Sequence, residues 1–139
     1  MVSVHVVRGL IEAVEQAGIS GHALLSAAQL GLEQLDAPDA MWPRSTLSQL
    51  CELALDLTND PALGLHWAER VTEGTFALLS PLIAHSSSLR RGLEALAQFH
   101  GLLSDQPSFE LIEGNDTVTV RSLDALGEST RMQRFVAEM

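Results

Sequence analysis

The chain has 139 residues, of which 46% are hydrophobic and 4% aromatic, with no tyrosine. That length fits one domain, residues 1–139, able to bury a core without disulfide or metal staples. Eight basic against eighteen acidic side chains leave a net charge of −10, so this segment is not expected to contact nucleic acid, which needs a basic stripe to neutralise phosphates. A single cysteine, Cys51, forms no internal disulfide. Glu12 and Glu15 interrupt the early apolar run, so neither a signal peptide nor a membrane span is expected, and the location expected is cytoplasmic.

The apolar content is mostly Leu and Ala, which favours helices over strands. Val7, Leu10, Ile11 and Val14 follow the i, i+3, i+4, i+7 spacing of one helix face, and Gly18 is a natural stop. Ser20 is placed to cap a second helix, GHALLSAAQL, ending at Gly31. Residues 32–43, rich in Asp, Pro and Ala, read as a connecting loop. Helical spacing resumes at Leu47, Leu50, Cys51, Ala54 and Leu57. In Asn59-Asp60-Pro61, Asp60 is a capping residue and Pro61 suits the first helical position, which predicts a helix over 61–71. A break at Thr72-Glu73-Gly74 precedes a helical stretch containing Pro81, which predicts a kink or a start at Ser80. Ser88 caps the next helix, 89–103, with Leu89, Leu93, Leu96, His100 and Leu103 on its apolar face.

After Pro107 the period changes from 3.6 to 2. Phe109 and Leu111, then Val118 and Val120, alternate with polar residues on either side of Glu113-Gly114-Asn115-Asp116, which predicts a β-hairpin. Met132, Phe135, Val136 and Met139 form a closing helix face. The fold class expected is therefore α+β and predominantly helical, a helix bundle packed with a small antiparallel hairpin. A lone hairpin is marginal in water, and no third strand is evident. Either helices of this chain cover it, another chain completes the sheet, or the natural domain continues past residue 139; the last is the reading preferred.

The stretch Pro43…Leu50-Cys51-Glu52-Leu53-Ala54…Leu57-Thr58-Asn59-Asp60-Pro61-Ala62-Leu63-Gly64-Leu65, followed by Gly74-Thr75-Phe76-Ala77-Leu78-Leu79, resembles the N-terminal effector-binding domain of AraC-type regulators, in the branch typified by ornithine-utilisation regulators. The likeness runs from about Gly9 to Phe135, with several motifs in order. It implies a mostly helical domain with a small sheet that senses a metabolite, helps the protein dimerise and precedes a helix-turn-helix domain absent from this chain. Pro81 departs from the pattern, since relatives usually carry another residue there.

No enzyme signature emerges. Ser80, Ser104 and Cys51 lack a nucleophile elbow or a placed base. The five histidines, His5, His22, His66, His85 and His100, show no ligand spacing. No catalytic residue, metal or cofactor is therefore expected. For an effector, chosen by position and polarity, the residues are Phe76, Ser80, Phe99 and His100, with His66, Trp67 and Arg70 further out. Arg70 would offer a counter-charge to the carboxylate of an amino-acid effector, although its place at a helix end also fits plain capping. The partners expected are a small-molecule metabolite and a second copy of the chain. The alternative is a helical protein-interaction module with no ligand.

Overall fold

The computed structural model describes residues 1–37, 39–69, 79–105, 109–114, 117–123 and 133–134, without the side chains of 79, 80 and 122. A two-residue strand β1 (Val2–Ser3) leads directly into helix α1 (Val4–Gln16), whose N-cap Ser3 accepts a hydrogen bond from the His5 amide. All four positions of the expected face, Val7, Leu10, Ile11 and Val14, are buried, and Val4 and Ala13 widen the stripe. Gly18, at φ +88°, ends the helix. The Gly18 amide donates to the Glu15 carbonyl and the Ile19 amide to that of Val14, the paired bonds of a Schellman turn.

Helix α2 (Gly21–Ala27) begins where expected, but Ser20 makes no side-chain cap. Glu15 supplies the oxygen instead, accepting from the Gly21 amide at 3.3 Å, where a carboxylate also suits the helix dipole. The helix ends short of the expected Gly31. Gln29 takes the left-handed conformation at φ 60°, and the Leu30 amide closes onto the Leu25 carbonyl at 2.8 Å. The expected loop at 32–43 holds more order than its composition indicates. Leu32–Leu35 is a 3-10 turn whose last carbonyl accepts from Arg8, and β2 (Met41–Trp42) pairs antiparallel with β1.

Helix α3 (Arg44–Thr58) buries Leu47, Leu50, Cys51 and Ala54 as its spacing predicts. The stripe then turns to Leu55, leaving the expected Leu57 39% exposed. Asn59 ends the helix at φ 49°. Asp60 does cap, accepting from the Ala62 amide at 2.9 Å, yet regular helix α4 (Leu63–Ala68) starts two residues later than predicted. The expected helix positions 70 and 71 lie outside the described residues. Helix α1 touches α2, α3 and α4. Its Gly9 lies under the Trp67 indole, where an added Cβ would come within 3.0 Å of Cζ2.

The buried apolar cluster draws on residues from Val2 to Trp67. The later elements form a second layer. Helix α5 (Leu79–Ala84) carries Pro81, and the residues just before it, on which the expected kink or start at Ser80 turns, lie outside the described residues. Ser88 caps α6 (Leu89–Phe99) as expected, accepting from the Arg91 amide at 3.3 Å. The last turn tightens to 3-10 over His100–Leu102. The hairpin β3 (Phe109–Glu113) and β4 (Val118–Ser122) follows in register Leu111↔Val120. These elements make the fold α+β and predominantly helical, with two small antiparallel sheets. Of the expected closing helix only residues 133–134 are described, and they are helical.

Candidate functional site

The helix–sheet seam of the second layer runs between α6 and β3. Amphipathic spacing sets Leu93, Leu96, His100 and Leu103 at intermediate burial, but Leu89, expected on the same face, is 79% exposed. Helix α6 lays Gly92 on Ile83 of α5, where an added Cβ would be 3.3 Å from Cγ2, and Leu89 in the first turn is left outside that contact. At the C-terminal end of α6 the His100 ring meets Phe109 edge-on, with centroids 6.0 Å apart and planes at 85°, a favourable aromatic geometry. At the other end Arg90 pairs with Glu113 at 3.1 Å. The two contacts make α6 and β3 run antiparallel, closed by an aromatic pair at one end and an ion pair at the other. Phe109, Leu111 and Ile112 are half-buried along this strand.

His100 is thus brought to the seam's end, half-buried, while Phe99 beside it in the chain is 40% exposed. Ser80 belongs to α5, with its side chain undescribed. Phe76 and Arg70 lie outside the described residues. His66 and Trp67 point different ways. Trp67 is buried on α1, while His66 is exposed and its Nδ1 is 2.7 Å from Asp60.

Several other charged and polar groups have partners among the described residues. Arg121 pairs with Glu110 across the hairpin at 2.7 Å, and Arg91 with Glu94 at 3.2 Å. These pairs are exposed and each adds little stability, but they place a carboxylate beside each of these arginines. His85 Nδ1 meets the Pro81 carbonyl at 2.8 Å. Cys51 is fully buried and behaves as a small hydrophobe. Ser104 is buried between Arg44, which donates to its Oγ at 3.0 Å, and the Met1 carbonyl, to which that Oγ donates at 3.4 Å. Among the described residues no group of three His, Cys, Asp or Glu could hold a metal ion, and no helix is long and apolar enough to cross a membrane. The Arg44–Ser104 contact had no signal in the sequence, because its partners are 60 positions apart.

The model of the arabinose-binding N-terminal domain of AraC transcription regulators matches residues 18–139. The chain belongs to that family. This AraC-regulator domain is also 25% identical over 126 residues to an ornithine utilization regulator of Pseudomonas aeruginosa, covering 91% of this chain and 37% of that protein. The chain therefore spans little more than a third of that relative's length. No solved structure gives a significant match. The family is one of regulatory domains rather than enzymes, and the resemblance carried by the Asn-Asp-Pro-Ala-Leu-Gly-Leu stretch is borne out.

Proposed function

We propose that the chain is the single small-molecule-sensing and oligomerisation domain of a cytoplasmic AraC-type regulator, with DNA contact made by a region outside these residues. The observation that carries this reading is the family match over residues 18–139. The seam between α6 and β3, with His100 at its end and Phe99 next to it in the chain, is the place proposed for a small metabolite; Ser80 and Phe76 precede it in the chain, and His66, Trp67 and Arg70 are the outer positions. A net charge of −10, together with rim arginines already facing carboxylates, favours a neutral or cationic effector over an anionic one. Effector binding acts by population shift, favouring the arrangement it binds more tightly by the difference in binding free energy. The exposed apolar residues Leu89 and Leu102 support a contact with a second copy.

A thermal-shift screen tests the sensor. Arabinose and ornithine, the compounds named by the family and by the relative, head a panel of neutral and cationic metabolites. A true effector at about 100 times its Kd stabilises by about 2.7 kcal/mol, raising Tm by roughly 5–10 °C. If no metabolite shifts Tm, the sensor reading fails. Capture of a protein partner through the α6 surface would then favour the ligand-free interaction module.

A further inference from the structure

The two layers differ in what holds them. The buried apolar cluster comes from β1, α1, α2, β2, α3, α4 and the chain between them, whereas Gly92 is the one residue of α6 that is buried. Between the layers lies a polar joint. Val2 bridges antiparallel to Ser104, with the Ser3 amide donating to the Leu103 carbonyl at 2.6 Å and the Asp105 amide to the Met1 carbonyl at 3.2 Å. Strand β1 therefore has β2 on one side and residues 103–105 on the other. Ser3 and Ser104 are buried at this joint, each 5% exposed. Arg44 reaches it from the first turn of α3. A cation there opposes the helix dipole, so the position is unfavourable for α3 alone and is explained by what the guanidinium holds.

We propose that residues 1–3 form a clip, pinned by Arg44 through Ser104, that fastens the α5–α6–hairpin layer to the helical core, and that the molecule opens at this joint first. A layer with few buried apolar contacts lies at the low end of local stability, and removing one partner from a buried hydrogen-bonded pair costs the desolvation of the other. The joint then sets how often the second layer, and the seam within it, comes away from the core.

Hydrogen exchange followed by mass spectrometry on the full 139-residue chain tests this with three variants. Arg44→Gln and Ser104→Ala are each expected to speed exchange of residues 89–122 by about tenfold while α1 and α3 stay at wild-type rates. The third variant, Val2→Cys with Ser104→Cys, uses the close approach of a non-hydrogen-bonded antiparallel pair, which suits a disulfide. Oxidised, it is expected to slow exchange of residues 89–122, and reduction is expected to abolish that slowing. Selective acceleration by a folded single variant, together with slowing by the oxidised staple, supports the clip. Equal acceleration in both layers, no acceleration, or a staple without effect overturns it.

Discussion

Gly9 sits in the middle of α1, where alanine would ordinarily gain about 1 kcal/mol of helix propensity. Here the added methyl would meet the buried Trp67 ring at 3.0 Å. Overpacking of this kind costs about 1–3 kcal/mol, so Gly9→Ala is expected to destabilise by about 1 kcal/mol net, seen as a lower urea midpoint with unchanged slope. Asp105 offers a second single-residue test. The Met1 ammonium lies 2.6 Å from its carboxylate. That hydrogen bond, outweighing the opposing desolvation and helped by the charge of the ammonium and of Arg44, holds the Asp105 pKa below the ordinary aspartate range. A lowered folded pKa means that the pair's contribution is complete above the unfolded value and is lost as pH falls through the folded one. An NMR titration should place the Asp105 midpoint below about 3.9, and acetylation of Met1 should return it toward that value.

Element boundaries show where local chemistry decides and where it does not. The first helix, the α3 stripe through Ala54, the Ser88 cap and the hairpin were legible because each rests on periodicity or on one capping residue. The end of α2 was not, since Gly31 is the better stop by composition and Gln29 closes the turn because Leu30 must fold back onto Leu25. The pairing of β1 with β2 was equally hidden, as two-residue strands carry no period and their register is set by the core. Spacing set His100 on the apolar face of α6 while Phe99 was chosen by position and polarity, whereas the contact of His100 with Phe109 depends on packing across the seam. The α2 terminus makes a prediction of its own. A left-handed non-glycine residue costs roughly 1–2 kcal/mol, and glycine returns about 0.5–1 kcal/mol of that through unfolded-state entropy. Gln29 is exposed and gives up no packing, so Gln29→Gly is expected to stabilise by about 0.5–1 kcal/mol in urea titration.

For the whole molecule, surface and charge act together. Leu89 and Leu102 are 79% and 57% exposed, and a contact between two copies through them would bury apolar area at about 25 cal/mol per Å². Two chains of charge −10 repel, so raising salt is expected to tighten self-association by screening. Sedimentation velocity at low and high salt checks the sign. Leu89→Glu with Leu102→Glu is expected to leave the chain monomeric at both.

The placement of the first residues between residues 40–42 and 103–105 has a consequence for synthesis. Met1 is made well before its partner, because its carbonyl is bonded by a residue 103 positions later. At about 5–20 residues per second, on the order of 5–20 s elapse before that partner is made. The nascent chain can assemble its early helices in that interval, but residues 1–3 stay unfastened on one side until residue 105 has cleared the exit tunnel.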